Sequence, residues 1–436
     1  MKLWIKFLIG AILGAFCAFI IPVENETVKY LIGFITEIVI RFGRYMIIPV
    51  VFCSAITAFN RLRDSKALTK TAVWTFSIIV ISSLLLTIIG LLSILIVKLP
   101  RIPVTMTTEN ANTAVIQENQ LYKILSDFST GIPENLNGSE LNIQNLLRAL
   151  LPFSAFDSLR NGTFILAAFF FAFLIGTAST ADEILFRPVT TFFDSFSKLM
   201  YNIMVIFTEF LEIGMVAILC YWTITFRGIL STGFYTPLIL MLSIDFLIVA
   251  GIVYPLILKY LCHDPHPYKV LYASVCSIMA AFFTGDSNFV LPLNIRHAKE
   301  SLGVRRRINA VTHPLFSIFA RGGSALVTTI SFIVIYRSYS SLSIPFTDIL
   351  WISLTSFGLS FLLGGFPAGG TFISLTVLCV LYGRNFETGY YLLLKPAAPI
   401  LCSFAAAFDV LTSMFGSYIV AVKTKYIEHH SIRHFI

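Results

Sequence analysis

Ala280-Ala281-Phe282-Phe283-Thr284-Gly285-Asp286-Ser287-Asn288-Phe289-Val290-Leu291-Pro292-Leu293 is an apolar run with a polar, glycine-bearing centre. A second apolar run is interrupted in the same way by Gly364-Gly365-Phe366-Pro367-Ala368-Gly369-Gly370. Gly and Pro break helices, and a break inside lipid strands backbone N–H and C=O groups away from any partner. Such a break survives only where it is buried in protein or lines a wet cavity. Two broken segments, each followed by a long span, point to a binding site between half-helices. The plainer reading, two kinked helices with packing glycines, is weakened by their pairing.

Composition places both breaks in a membrane. Of 436 residues 57% are apolar and 12% charged. Soluble domains run near ~45–50% and ~25%, so there is too little charge here to coat a water-facing surface. Apolar segments recur at about 3–22, 27–60, 71–98, 163–180, 198–222, 235–261, 269–293, 308–336, 349–382 and 390–422. A ~30 Å hydrocarbon layer takes ~20 helical residues, so several of these are overlong. The first run follows Lys2, is long enough to span, and lacks a small-residue cleavage site after it; it reads as a span, not a signal peptide. The seven cysteines have no CxxC spacing and read as small buried hydrophobes.

Basic residues orient the spans. Lys2 and Lys6, then Arg61, Arg63, Lys66 and Lys70, then Arg296, Lys299, Arg305, Arg306 and Arg307, then Lys423, Lys425 and Arg433 form four clusters. All fall on one side if the seventh and ninth segments enter and leave by the same face. That side is then cytoplasmic and holds both termini. The polar stretch 99–160 becomes a long external loop, and its Asn137-Gly138-Ser139 sequon carries little weight in so Asn-rich a region.

These residues carry a resemblance. Ala281 to Thr284, Leu291-Pro292, Arg296 to Glu300, Gly303 and Pro314-Leu315 resemble the first re-entrant hairpin and following helix of the dicarboxylate/amino acid:cation symporter family, the glutamate-transporter-like proteins. Arg44 to Ala58, with Ile47-Ile48-Pro49-Val50-Val51-Phe52, is similar to that family's second span, and Gly365 to Gly370 to its second hairpin tip. The resemblance implies an all-α polytopic membrane protein with eight transmembrane helices and two re-entrant hairpins, at about 269–293 and 349–382. It implies a homotrimer in which residues 1–262 form a scaffold and trimerisation part, while residues 263–436 form a transport core moved like an elevator. Localisation in a bacterial inner membrane is expected with it.

The departures from the family pattern bear on mechanism. Its serine-rich first tip corresponds to Asp286, Ser287 and Asn288 here. Its unwound seventh span, Asn-Met-Asp-Gly-Thr, corresponds to Ala320-Arg321-Gly322-Gly323-Ser324, so the Asn and Asp that hold sodium are absent. In the last span Ala405-Ala406, Asp409 and Ser413 stand near the family's Arg-Thr pair, Asn and Asp. The expected solute-binding set is therefore Asp286, Ser287, Asn288, Arg321, Ser324, Pro367, Ala368, Gly369, Asp409 and Ser413. Arg321 reads either as a tethered cation standing where sodium would add charge, or as the structural partner of Asp409 or Asp286. Glu37, Arg41, Arg44, Glu209, Glu212 and Asp245 read as interface residues of the scaffold.

Nothing in the sequence suggests an enzyme, a cofactor or a resident metal, and the net charge of +8 is accounted for by cytoplasmic loops without nucleic acid. Sodium or proton coupling stays open. The partners expected are a small polar solute, lipid and further copies of the chain. Two functions remain: a symporter-like secondary transporter of a dicarboxylate or amino acid, and a relative that no longer transports, either an anion pore or a sensor. The charge pattern yields a direct test. A cysteine placed beside Arg306 is expected to react only from the cytoplasmic face and one near Asn137 only from outside.

Overall fold

The computed structural model describes residues 3–20, 26–64, 67–97, 99–102, 159, 165–231, 233–340, 344–362, 370–383 and 388–428. Most of the polar stretch at 99–160 and the second hairpin tip, with Pro367, Ala368 and Gly369, lie outside them. The described residues are helical apart from connections and one isolated bridge, Val304 to Ile427.

Along the chain come α1 (Leu3–Ile20), α2 (Glu26–Asp64), α3 (Leu68–Ile96), α4 (Ile165–Ala178), α5 (Glu183–Ser231) and α6 (Thr236–Ile248). A π-helical stretch, Val249–Val253, joins α6 to α7 (Tyr254–Leu261). Then follow α8 (Tyr268–Thr284), α9 (Leu291–Glu300), α10 (Arg306–Phe319), α11 (Gly322–Tyr339), α12 (Phe346–Leu362), α13 (Thr371–Tyr382) and α14 (Ala398–Thr424), with a 3-10 segment at Thr388–Leu394 before the last. Among the described residues six stretches are long and apolar enough to cross a membrane: Tyr30–Arg63, Leu68–Ile96, Ile184–Arg227, Thr236–Leu261, Arg306–Tyr339 and Ala398–Thr424. The protein is an integral membrane protein.

Two of these stretches differ from the rest. In the most apolar 18 residues of Arg306–Tyr339 94% are buried, and in those of Ala398–Thr424 89%, against half or less for the other four. So α10, α11 and α14 form the centre, and α1, α2, α3, α5 and α6 surround it. The outer helices turn large apolar side chains outward, such as Phe16, Phe19, Phe210 and Ile213. Such a surface is unfavourable in water and suited to hydrocarbon.

Some boundaries depart from the sequence expectation. The segment at 198–222 is the middle of a 49-residue helix, α5, that starts at Glu183. Asp182 begins it by accepting the Leu185 N–H at 3.0 Å, a side-chain cap that apolar periodicity does not register. The first hairpin, expected at 269–293, runs from Tyr268 to Glu300, because α9 continues through the polar Asn294-Ile295-Arg296-His297 stretch. That stretch is buried against the protein, so its polarity does not end the helix.

Small residues set the close contacts, as expected where lipid removes the hydrophobic drive between helices. Gly10 and Gly14, four apart on α1, meet the backbone of α5; a Cβ on Gly10 would lie 2.9 Å from the Glu212 carbonyl, and one on Gly14 would run into the Val216 carbonyl. Gly14→Ile is therefore expected to destabilise the protein by ~1–3 kcal/mol, the usual range for overpacking, read as lowered thermal stability in detergent.

Candidate solute site at the break between α10 and α11

Arg321 stands where α10 and α11 part. Ala320 (φ −86°, ψ 65°) and Arg321 (φ −101°, ψ 34°) leave helical geometry, and α11 starts at Gly322. The two glycines permit this by their size. A Cβ on Gly322 would lie 2.7 Å from Ser83 Cα on α3, and one on Gly323 would strike Phe408 and the Ala405 carbonyl on α14. With no side chains there, the first turn of α11 wedges between α3 and α14. Its N–H groups lack partners within the helix and sit at the positive end of the helix dipole. Asp409 on α14 meets them: its Oδ1 accepts the Gly323 N–H at 2.8 Å. The other oxygen accepts Ser324 Oγ at 3.2 Å and lies 3.5 Å from Arg321 Nη1.

The first hairpin tip closes the site from the other side. Gly285, at φ +65°, ends α8 in the left-handed conformation that glycine adopts without strain. Asp286 Oδ1 then accepts the Asn288 N–H at 3.0 Å, fixing a tight turn. The turn carries Ser287 and Asn288 to Arg321. Nη1 donates to Ser287 Oγ, and Nη2 donates to Asn288 Oδ1 at 2.8 Å. Ser317, one turn before the break on α10, donates to the same Oδ1 at 2.6 Å. Arg321 is fully buried, and among the described residues its Nε–H has no hydrogen-bond partner.

Six of the ten expected residues thus assemble: Asp286, Ser287, Asn288, Arg321, Ser324 and Asp409. Ser413 stands one turn beyond Asp409 and bonds His313 Nδ1 on α10 at 3.0 Å, away from Arg321. The two acidic residues considered as partners of Arg321 separate. Asp409 keeps that role at a long 3.5 Å, whereas Asp286 is held by Arg44 of α2, whose Nε and Nη2 donate to its Oδ2 at 3.0 and 2.7 Å. Arg44 was visible in the sequence as a charge within an apolar run, but nothing local links it to a residue 242 positions on. Thr371, the first residue of α13, also belongs here: its Oγ1 donates to Ser324 Oγ at 3.0 Å and ties the second hairpin to the site. Its only sequence signal is that it follows the glycine-rich tip. Among the described residues no group of three or more His, Cys, Asp or Glu is placed to hold a metal ion.

A helix broken at bilayer depth, with a hairpin tip meeting its free ends around a buried charge, is the architecture of secondary transporters. The chain belongs to the sodium:dicarboxylate symporter family, whose profile matches residues 3–423. That family comprises transporters and not enzymes. The chain is 24% identical over 369 residues to the human neutral amino acid transporter B(0), covering 80% of this chain and 65% of the relative. To the human excitatory amino acid transporter 2 it is 20% identical over 452 residues, 94% of this chain and 77% of that protein. A serine/threonine transporter, SstT of Enterococcus faecalis (strain ATCC 700802 / V583), is 25% identical over 284 residues, 64% of this chain and 60% of the relative. The chain therefore spans about 65% of the length of the neutral amino acid transporter it matches.

The geometry predicts an asymmetric outcome for two substitutions. Arg321→Ala leaves the Asp409 carboxylate buried with two weaker donors and is expected to lower stability by ~3–5 kcal/mol. Adding Asp409→Ala is expected to restore only part of this, since Ser287 still lacks its donor, Asn288 keeps only Ser317, and the Gly323 N–H loses its acceptor. Full recovery in thermal unfolding would reduce Arg321 to a counter-ion.

Proposed function

We propose that the chain is a secondary active transporter of a small polar organic solute bearing a carboxylate, a dicarboxylate or an amino acid, and that Arg321 is the electrostatic centre of its site. The observation that supports this most directly is a fully buried guanidinium at a helix break, contacted by the first hairpin tip, with its Nε–H uncommitted among the described residues and its carboxylate partner at 3.5 Å. A guanidinium remains charged at any working pH, so an incompletely matched one attracts an anion. The solute carboxylate would take the Nε and Nη2 face, with Ser287, Asn288, Ser324 and Asp409 beside it.

In this reading eight spans cross the membrane, the six long stretches together with α1 and α4, and α8–α9 and α12–α13 are the two re-entrant hairpins. Residues 1–262 form the scaffold of a homotrimer; residues 263–436 carry the solute past it by an elevator motion. The membrane is a bacterial inner membrane, with both termini in the cytoplasm. Amino acids named for the relatives, serine and threonine or neutral and excitatory amino acids, are the first solutes to try.

Sodium fits this chain poorly. Ala320 and Gly322 carry no side-chain oxygen, and Asp409, the carboxylate beside the break, already accepts from Gly323 and Ser324 and faces Arg321. Sodium-like ions are held by several oxygens, which backbone carbonyls alone would have to supply. Arg321 supplies a fixed positive charge in its place.

The internal satisfaction of Arg321 by Ser287, Asn288 and Asp409 favours one other reading, a locked site in a channel-like or non-transporting relative. Uptake of labelled serine, aspartate and succinate into liposomes, with and without a sodium gradient, separates the two. Uptake with weak or absent sodium dependence is expected; steep, saturable sodium stimulation refutes the fixed-cation reading. Arg321→Lys is expected to raise the half-saturating concentration about tenfold through loss of the planar fork, and Arg321→Ala to abolish uptake in whatever fraction folds.

A further inference from the structure

We infer that Gly43 and Arg44 on α2 form a docking step for the first hairpin tip, and that Arg44 is a positioning residue which, through Asp286, presents Ser287 and Asn288 to Arg321. Two independent features of the tip meet the two residues. Arg44 grips Asp286 Oδ2 by the side of its guanidinium, at 3.0 Å from Nε and 2.7 Å from Nη2. Beside it, Phe289 lies against the bare backbone of Gly43, where a Cβ would collide with its ring, and Phe207 of α5 packs edge-on to Phe289. Asp286 is 2% exposed and Arg44 26%, so the carboxylate is the buried member and depends on the guanidinium.

The turn geometry makes this dependence directional. The same carboxylate spends its other oxygen on the Asn288 N–H, so one side chain joins α2 to the backbone that orients Asn288. Asn288 and its neighbour Ser287 are two of the three side chains that Arg321 reaches. Chain order adds a further point. α2 lies in the part read as scaffold and the hairpin in the part read as core, so the bond spans the boundary across which an elevator would slide.

Other contacts cross the same boundary: Arg296 with Thr208 and the Val205 carbonyl, Tyr201 with Glu300 at 2.6 Å, and Trp222 with Phe282 and Phe283. These hold the arms of the hairpin. The Gly43–Arg44 step, with Phe207 against Phe289 beside it, holds its tip, and the Arg44–Asp286 pair is the charged contact there. Breaking it leaves Asp286 buried without a counter-charge, which makes the docked state strongly preferred while Arg44 is in place. The inference rests on the transporter reading for its consequence, but its test needs no solute.

Spin labels carried by unnatural amino acids at Leu31 on α2 and Leu354 on α12, both exposed, report the distance between the two parts by pulsed electron resonance. The native protein is expected to show one dominant distance. Asp286→Asn and Arg44→Gln should each raise the ratio of a second population about tenfold, within the usual span of such couplings. The exchange Arg44→Asp with Asp286→Arg should return the native distribution, which a merely structural loss would not do. Where a neutral variant gives no monodisperse protein, Arg44→Lys is used, and a shift intermediate between native and released is expected. Unchanged distributions in the neutral variants, or in Arg44→Lys where it stands in for them, overturn the inference. So does an exchange variant that stays released. Absence of uptake by the native protein would instead count against the transporter reading and leave these distances unaffected.

Discussion

A guanidinium with no exposure at all, set at a gap between two helices, is the demand that the rest of the centre answers. At bilayer depth a charge costs at least ~2.5–3.5 kcal/mol by insertion scales unless it is paired or faces a cavity. A helix break there adds free N–H and C=O groups. One carboxylate answers both: Asp409 receives the Gly323 N–H and lies beside Arg321. For that to happen α14 must approach the α11 backbone, which needs glycine at 323, and α3 must approach from the far side, which needs glycine at 322. The deep burial of α10, α11 and α14 is the packing consequence of this one polar arrangement.

The membrane class and the break at Gly285 were legible in the sequence because each is a local property. Composition decides lipid against water, and Gly or Pro inside an apolar run decides where the backbone departs from a helix. Arg321, Asp286 and Asp409 stood out for the same reason, being charges where charges are expensive. Their pairing was not legible. Whether Asp286 faces Arg321 or Arg44 depends on how the hairpin tip lies against α2, a long-range relation with no trace in spacing. Ser413 shows the limit from the other side. It shares a face of α14 with Asp409, one turn on, yet the helix has by then moved past the break and meets His313 instead. In the sequence the glycines at 322 and 323 are only part of a stretch matching the family's unwound span; their stronger reason, room for two neighbouring helices, appears only in the packed structure.

The two ion pairs at the site are built to different standards, and the difference is informative. Arg44 and Asp286 meet through two short bonds, one member open to its surroundings, so the pair keeps most of its Coulomb attraction while Arg44 stays partly solvated. Arg321 and Asp409 are both buried and 3.5 Å apart, with Asp409 spending its best hydrogen bonds on Gly323 and Ser324. A buried pair is a net gain only when its geometry is good and the remaining donors are satisfied. By that measure the outer pair is a fastening and the inner one is unfinished. The inner guanidinium has neutral oxygens at Ser287 and Asn288, a distant carboxylate and, among the described residues, no partner for its Nε–H. A solute carboxylate would supply what this set lacks, negative charge at hydrogen-bonding distance on the uncommitted Nε edge of the fork. The hairpin tip that the outer pair fastens is the same one that delivers the two neutral oxygens. Strengthening the fastening should therefore sharpen the geometry offered to a solute, and loosening it should leave the charge of Arg321 in place but poorly aimed.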